Sequence, residues 1–182
     1  TAGFADVFAP SNSDVWFIEG RRVLRLQSNT ITEIPITLND PNTKLGALWG
    51  VSGKIWLVGT GGTIFQWDGT TFTAQNSGVS SNLNAIWGPD GQNLWAVGDN
   101  GTVLRYNGTT WAKQTAASEG ATFTSVFGAD ATHVWAVGTL DGQGVVNFYD
   151  GTTWTDQTRQ MEEKPAVAPM NPLSAVWAAN ST

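Results

Sequence analysis

The sequence repeats itself with a period close to 40 residues, and this repeat limits the possible folds more than any other feature. Four tryptophans, Trp16, Trp56, Trp95 and Trp135, lie 40, 39 and 40 residues apart. Each one opens a short β-forming run, and these runs read VWFIE, IWLVG, LWAVG and VWAVG. Because the same residue returns at the same phase, one structural unit is predicted to occur four times.

Residues 83–115 show what one unit contains. Runs of β-forming residues alternate there with turn sequences at residues 88–91, 98–101 and 107–108. The last of these is Asn-Gly, which strongly favours a hairpin because both of its residues accept a positive φ. One unit is therefore predicted to be an antiparallel meander of four short strands.

Two further motifs recur in phase with the tryptophans. The first strand of the unit reads FADVFAP, LGALWGV, LNAIWGP and FTSVFGA, and it returns once more as LSAVWAA at residues 173–179. The hairpin between the third and fourth strands reads WDGTTF, YNGTTW and YDGTTW, and has decayed to LQSNTI in the first unit. Four strands in each repeat of this length are typical of a β-propeller. The sequence predicts an all-β chain that forms a β-propeller, or a segment of one, with four complete four-stranded antiparallel blades plus one extra strand.

We expect a single repeat array over residues 1–182, with blades at about 4–36, 45–80, 81–120 and 121–160. The extra strand at residues 173–179 has no evident place, because the first unit already has all four strands. Three explanations remain open: a fragment of a larger propeller, a four-bladed ring with one added strand, or association with another copy through open blade edges. Since Thr1 is not a natural start, we expect a chain that was processed or cut from a longer one.

Composition excludes several function classes. The net charge is -6, and the only neighbouring basic pair is Arg21-Arg22, so the basic surface that nucleic-acid binding requires is missing. The chain has no cysteine, which excludes disulfides, thiolate catalysis and cysteine-ligated zinc. No apolar run approaches the ~18 residues of a membrane span. Cysteine usage does not fix the compartment, and we expect an extracellular, cell-surface or periplasmic protein.

The third-to-fourth hairpin resembles the Asp-box of BNR-repeat propellers, whose pattern SxDxGxTW lies between the third and fourth strands of a blade. The D-G-T-W end of that pattern is matched by three sets: Asp68, Gly69, Thr71 and Phe72; Asn107, Gly108, Thr110 and Trp111; Asp150, Gly151, Thr153 and Trp154. Residues 98–111, GDNGTVLRYNGTTW, are similar to the repeats of photosystem II assembly-factor-like, WD-repeat-like and YVTN-like propellers. The leading Ser is absent, and the Asp-to-Trp spacing is one residue short. The resemblance covers nearly the whole chain; it implies the propeller fold and a turn capped by the Asp side chain, but no particular activity.

The many tryptophans permit two interpretations. Rings that recur in every unit, such as Trp16 and Trp56, are predicted to pack between blades. Trp67, Trp111 and Trp154 flank surface hairpins, and they are our candidates for stacking against a sugar.

Positions where one repeat departs from the others indicate function better, because folding alone does not explain them. They are Arg21 and Arg22 in the first unit, the insertion at residues 140–144 with Asp141 and Gln143, and the excursion at residues 161–172. Function in a propeller usually lies on the loops at one end of the ring. We therefore take these positions as candidates for a surface that contacts a partner.

Catalytic and metal sites find little support in the sequence. A sialidase needs three convergent arginines, yet three of the five here crowd into the first unit; the full set is Arg21, Arg22, Arg25, Arg105 and Arg159. The single histidine, His133, is predicted to be a solvated turn residue. The acidic turns at residues 99–101 and 141–144 are weak calcium candidates, since neither has alternating oxygen ligands. We assign no catalytic residue, metal or cofactor.

The sequence thus favours a non-catalytic interaction module of an extracellular or envelope protein, which binds a protein partner through its loops. One alternative is a carbohydrate-binding lectin with sites between blades, which should repeat the same site around the ring. A second is a sialidase-type glycoside hydrolase, against which the missing arginine constellation argues.

Overall fold

The computed structural model describes residues 3–158 and 174–176. These residues form sixteen strands, which make four blades of four strands each. Blade 1 contains β1 (Phe4–Ser11), β2 (Asp14–Glu19), β3 (Arg22–Gln27) and β4 (Thr30–Ile34), and blade 2 contains β5 (Leu45–Val51), β6 (Lys54–Gly59), β7 (Ile64–Trp67) and β8 (Phe72–Ala74). Blade 3 contains β9 (Leu83–Trp87), β10 (Leu94–Gly98), β11 (Val103–Tyr106) and β12 (Trp111–Gln114). Blade 4 contains β13 (Thr122–Asp130), β14 (His133–Leu140), β15 (Gln143–Tyr149) and β16 (Trp154–Asp156). A short 3-10 turn at Thr60–Gly62 joins β6 to β7. The predicted all-β fold of four antiparallel four-stranded blades is confirmed.

Every blade is a simple meander with its strands in sequence order. The recurring tryptophan of the second strand pairs with the aromatic residue of the first strand in each blade. In blade 3, Trp95 lies opposite Trp87 on one side and opposite Arg105 on the other. The repeat in the sequence is therefore a repeat of strand register.

The blades stack through three hydrophobic clusters, one for each pair of successive blades. Trp16, Trp56 and Trp95 are 0–1% exposed. Each packs against an aromatic ring of the next blade, at centroid distances of 5.4, 6.2 and 5.9 Å from Trp67, Tyr106 and Tyr149. Burial of one such ring stabilises the fold by about 2–3 kcal/mol. The predicted packing role of these tryptophans is confirmed.

The first strands β1, β5, β9 and β13 line a central channel of about 310 Å³. Four rings, one from each first strand, form a row along it, with centroid distances of 5.2 Å (Phe8–Trp49), 6.4 Å (Trp49–Trp87) and 5.2 Å (Trp87–Phe127). Trp49 and Phe127, which belong to non-adjacent blades, also approach to 6.5 Å. The rings therefore converge on one end of the channel.

The two ends of the blade stack differ in their loops. We call one the turn end, because it carries the hairpin turns that join first to second and third to fourth strands. The other is the linker end, which carries the turns between second and third strands and the segments that join one blade to the next. The aromatic row lies towards the turn end, so the polar part of the channel faces the linker end.

The described blades form an open arc. Inner strands pack in the order β1–β5, β5–β9 and β9–β13, and among the described residues no comparable packing joins β13 to β1. Phe4 and Val7 of blade 1 are 67% and 57% exposed, whereas their repeat equivalents in blade 2, Leu45 and Leu48, are each 3% exposed. The back face of blade 1 is therefore uncovered in this part of the chain.

Two segments singled out in the sequence fall mainly beyond the described ranges. Of the extra strand predicted at residues 173–179, only residues 174–176 are described, and they are not in a strand. The excursion at residues 161–172 and the end of the fourth predicted unit lie outside the described residues.

Candidate functional site

The irregular residues that are described share one end of the molecule. Arg21 and Arg22 lie at the β2–β3 turn, and Asp141 and Gln143 lie at the β14–β15 turn. Both are turns between second and third strands, so both belong to the linker end. They sit on blades 1 and 4, however, and do not contact each other directly.

Arg21 holds the linker between blades 1 and 2. Its Nη1 donates hydrogen bonds to the backbone carbonyls of Asp40 and Thr43, each at 3.0 Å, and also to that of Pro41. Nη1 carries two N–H groups, so at least one of them is shared between two of these carbonyls. The departure from the repeat at Arg21 is thus explained by the conformation of this linker.

Arg22 presents charge to solvent. Its side chain is 53% exposed and forms ion pairs with Glu19 at 2.9 Å and with Glu33 at 2.8 Å. The hydrogen bond that Arg22 donates to Glu33 is the main reason that the pKa of Arg22 lies above its ordinary value. The three side chains form a small charged group at the linker end, with one excess negative charge.

The insertion in blade 4 forms an exposed hairpin tip. Leu140 pairs with Gln143, and the two residues between them, Asp141 and Gly142, have φ of 52° and 81°. Positive φ at both central residues defines a type I′ turn, which Asp-Gly favours. The tip therefore displays a carboxylate and a carboxamide at the end of a two-stranded ribbon.

Two cavities open beside these loops. One, of about 520 Å³, lies between the linker that Arg21 holds and the β6–β7 turn; its polar lining includes Asp40, Asn42, Lys44 and Gln75. The other, of about 620 Å³, lies beside blade 3 and is lined by Asn100, Lys113, Gln114 and Glu119 among others. The linker end is thus an uneven surface of loops and cavities that carries both positive and negative side chains.

The channel contributes polar groups that the sequence analysis missed. Asp6 Oδ2 accepts a hydrogen bond from the Leu48 amide at 2.9 Å, which ties blade 1 to blade 2. Burial raises the pKa of Asp6, although hydrogen bonds from the Leu48 and Val7 amides oppose this shift. Asn84 donates to the carbonyl of Phe123 at 3.0 Å and so ties blade 3 to blade 4. The available signal was a polar residue inside an otherwise apolar first-strand motif.

The three hairpin tryptophans are buried rather than displayed. Trp67, Trp111 and Trp154 are each 8% exposed. They pack at 5.1–5.3 Å against the rings of Phe72, Tyr106 and Tyr149 respectively. This corrects the expectation that they form sugar-stacking platforms: their faces are covered by neighbouring side chains.

The turn end repeats one capped structure. In the β7–β8 turn, Asp68 Oδ1 accepts hydrogen bonds from the Thr70 and Thr71 amides at 2.8 and 2.9 Å. Asn107 and Asp150 make the same pair of bonds in blades 3 and 4. The Thr71 amide bond is the main reason that the pKa of Asp68 falls to about 2. These are Asx turns, so the side-chain oxygens of Asp68, Asn107 and Asp150 serve the backbone.

The described arginines do not converge. Arg25 makes a bidentate pair with Asp14 at 2.7 and 2.8 Å. Arg105 donates to Tyr149 Oη at 2.9 Å and to Asn93 at 3.1 Å. Arg21 and Arg22 likewise have their own partners, so no two of the described arginines share one. Arg159 lies outside the described residues. The described part of the chain therefore contains no sialidase-like arginine cluster.

The remaining candidates for chemistry are also engaged at turns. His133 is exposed, with Nδ1 at 3.0 Å from both carboxylate oxygens of Asp130, as a solvated turn residue would be. The oxygens of Asp99, a weak calcium candidate, accept hydrogen bonds from Asn82 and Asn84 at 2.9 Å each. Within residues 3–158 and 174–176, no three His, Cys, Asp or Glu side chains group as a metal site would need. No helix in this part of the chain is long and apolar enough to cross a membrane.

Comparison with known proteins identifies the fold and not a family. No family model matches the sequence, and no curated protein matches it. Similar solved structures include virginiamycin B lyase from Staphylococcus aureus, with a TM-score of 0.71 and 16% identity over 85% of this chain and 55% of that one. YCF48 from Cyanidioschyzon merolae follows with a TM-score of 0.61 and 14% identity over 83% of this chain and 49% of that one. The extracellular domain of the putative hybrid two component system BT3049 from B. thetaiotaomicron gives a TM-score of 0.66 and 8% identity over 86% of this chain and 24% of that one.

The chain spans about half the length of the first two of these structures. All three are β-propeller proteins. At these identities the likeness concerns the fold alone, and it agrees with the blades observed here: the chain is a β-propeller module.

Proposed function

We propose that this chain is a non-catalytic propeller module that binds a protein partner through its linker end. The observation that carries the proposal is the contrast between the two ends. The turn end repeats the same capped hairpin in blades 2, 3 and 4, whereas the described residues singled out as irregular, Arg21, Arg22, Asp141 and Gln143, all lie at the linker end. Folding of the repeat does not require residues that differ between equivalent loops, so we attribute these differences to binding.

The form of the linker end suits a macromolecule better than a small ligand. Small-molecule sites are enclosed clefts in which a few polar groups converge. Here the Arg22–Glu19–Glu33 group and the Asp141–Gln143 tip lie on blades that are not neighbours in sequence. Protein interfaces use such extended surfaces, on which charged groups at the rim steer association and set specificity.

The absence of a catalytic role is part of the proposal. It is supported by the individual engagement of the described arginines and of His133, which leaves no convergent acid–base or nucleophilic group in residues 3–158. An extracellular or envelope location is likewise proposed; a similar fold in the extracellular domain from B. thetaiotaomicron is compatible with it.

A displayed random-peptide library, panned on the immobilised chain, tests the proposal directly. We expect peptides whose affinity falls about tenfold or more in the double variant Asp141→Ala/Gln143→Ala, since each lost interfacial contact costs on the order of 1 kcal/mol or more. The matched control is Lys54→Ala at the turn end, which should leave affinity unchanged. Peptides that lose affinity only with the turn-end variant would contradict the proposal.

A glycan array, probed in parallel, separates the lectin alternative. We expect no glycan to bind, because Trp67, Trp111 and Trp154 are covered. Glycan binding that survives the Asp141→Ala/Gln143→Ala change and saturates at several sites per chain would replace the proposed function with a lectin function.

A further inference from the structure

The face of blade 4 that points away from blade 3 carries a tryptophan without its usual cover. Trp16, Trp56 and Trp95 are 0–1% exposed because each is packed against an aromatic ring of the following blade. Trp135 occupies the same repeat position but is only half-buried. Its ring contacts Phe148 of its own blade at 4.9 Å.

Residues 174–176 of the same chain already contact part of this face. The amide of Val176 donates a hydrogen bond to Ser125 Oγ at 3.1 Å. In the aligned first-strand motifs, Ser125 is the equivalent of Asp6, and Val176 is the equivalent of Leu48. The Leu48 amide donates to Asp6 Oδ2 at 2.9 Å. The hydrogen bond between Val176 and Ser125 in blade 4 is therefore equivalent, in the repeat, to the hydrogen bond between Leu48 of blade 2 and Asp6 of blade 1.

The other two blade junctions explain why this bond is not universal. The equivalent positions on β5 and β9 are Ala47 and Ala85, which have no side-chain acceptor. The bond can form only where Asp6 or Ser125 supplies the oxygen. Its recurrence in the same repeat register argues that residues 174–176 lie where the inner strand of a following blade belongs.

From these observations we propose that the uncovered face of blade 4 is the docking surface for a fifth blade, a four-stranded antiparallel sheet of the same repeat. Residues 174–176 lie at the place of its inner strand, and its third strand supplies an aromatic ring that covers Trp135. This proposal concerns the side of the arc and is independent of the proposed partner-binding function at the linker end.

The chemistry of the occupant follows from the three existing junctions. The third-strand ring that covers each tryptophan is a Trp or a Tyr: Trp67, Tyr106 and Tyr149. The first-strand residues that face the preceding blade are apolar and buried, as in Leu45, Leu48 and Phe123. Leu173 and Val176 continue this apolar pattern in the sequence. A second copy of this chain does not fit, because its own β1 would need the place that residues 174–176 take.

An extended chain tests the proposal. Its last three residues are replaced by a copy of residues 90–114, so that the LSAVWAA motif continues into the second, third and fourth strands of blade 3. The chain has no cysteine, so Phe148→Cys provides a single thiol beside Trp135. We expect this thiol to react with a disulfide reagent about tenfold more slowly in the extended chain, because a docked blade must open before the reagent enters.

Two controls make the result specific. In the first, the appended copy carries alanine in place of its third-strand tyrosine, and the protection of the thiol should be largely lost. In the second, the reporter is Val7→Cys on the back face of blade 1, whose reactivity should not change. Equal reactivity of the Phe148→Cys thiol in the original and extended chains would overturn the proposal. So would protection of that thiol in the original chain together with a dimeric mass by light scattering, because a second copy would then occupy the face.

A measurement on the original chain addresses the inner strand separately. Hydrogen exchange of the Val176 amide should become about fivefold faster in Ser125→Ala, since loss of one hydrogen bond costs about 1 kcal/mol. Ser125→Asp, which restores the acceptor found at Asp6, should keep the slow exchange. An amide that exchanges at the unprotected rate in the original chain would refute the proposed register.

Discussion

The indole of Trp87 lies against the α-carbon of Gly128 in the next blade. A β-carbon added to Gly128 would come within 2.6 Å of Trp87 Cζ3 and equally close to the His133 carbonyl oxygen. Gly50 has the same relation to the ring of Phe8. Gly50 and Gly128, each the last but one residue of its first-strand motif, therefore make room for Phe8 and Trp87 of the aromatic row.

Replacement of Gly128 by alanine should destabilise the fold by about 1–3 kcal/mol, because neither the indole nor the backbone carbonyl can withdraw without disturbing the junction of blades 3 and 4. Urea unfolding followed by tryptophan fluorescence measures the effect. The control is Gly3→Ala, since a β-carbon there meets nothing within 4 Å. Equal midpoints for Gly128→Ala and the original chain would show that the row is loosely packed.

A second prediction concerns Asn147, a fully buried polar residue in blade 4. Its Oδ1 accepts hydrogen bonds from the amides of Ala117 and Ser118 at 2.9 and 3.1 Å, and its Nδ2 donates to Ser118 Oγ at 2.7 Å. Asn147→Leu copies the residue that blade 3 has at this position, Leu104, but leaves two amides without a partner. We expect a loss of about 2–4 kcal/mol, since each orphaned buried group costs about 1–3 kcal/mol.

Thermal unfolding, followed by circular dichroism, gives the stability of this variant. Ser118→Ala serves as the matched control, because it removes only the Nδ2 partner and keeps both amides bonded; its loss should be clearly smaller. A larger loss for Ser118→Ala than for Asn147→Leu would contradict the assignment of the linker amides to Asn147.

The third prediction is for the junction between Arg105 and Tyr149. The guanidinium of Arg105 donates to Tyr149 Oη at 2.9 Å and lies 5.3 Å above the ring of Trp95. Arg105→Lys keeps the charge but loses the planar fork and the stacking, so it should destabilise the fold by about 1–2 kcal/mol. A double-mutant cycle with Tyr149→Phe should give a coupling of about 1 kcal/mol. Additive effects of the two changes would show that the hydrogen bond contributes nothing to stability.

A fourth prediction concerns acid stability. Hydrogen bonds, chiefly from the Thr71 amide, lower the pKa of Asp68 to about 2 from its ordinary value of 3.8. Because the folded-state pKa is depressed, the stabilisation by this carboxylate is present above 3.8 and is lost as the pH falls from there towards about 2. Asp130 has a pKa of about 2 for a related reason, chiefly its hydrogen bonds from Thr132. The melting temperature should therefore fall over this range, but only modestly, because both carboxylates are exposed and solvent screens their interactions.

The variant Asp68→Asn isolates one contribution, since Asn107 already performs the same capping in blade 3 without a charge. Its melting temperature near neutral pH should change little, whereas its decline over the acid range should be shallower than that of the original chain. Identical pH profiles for the two proteins would mean that Asp68 does not contribute to acid unfolding.

Much of this architecture could be predicted from the sequence, because strand register repeats with the chain. Trp16, Trp56 and Trp95 were expected between blades, and each lies there. The interpretation of Trp67, Trp111 and Trp154 failed for a definite reason. A tryptophan beside a hairpin can face solvent or the interior between blades. Trp111 lies opposite Tyr106 on the adjacent strand, and Trp154 lies opposite Tyr149. Both tyrosines are buried, so the tryptophans face the interior with them.

The candidate site could be predicted only in part. The irregular residues Arg21 and Asp141 were recognised because they break the repeat, but the sequence did not distinguish a structural irregularity from an exposed one. The structure shows that Arg21 is occupied by three carbonyls of a linker, while Asp141 stands at an exposed tip. That distinction depends on contacts with residues some twenty positions away.

The sequence by itself determined the strands, their order within each blade and the repeat that makes the blades alike, since these depend on local pattern and on turns within one unit. Only the tertiary structure decided which faces are covered. Val7 and Leu48 hold the same position in the same motif, yet one is 57% exposed and the other 3%. The difference arises because burial is a property of the neighbouring blade and not of the residue itself.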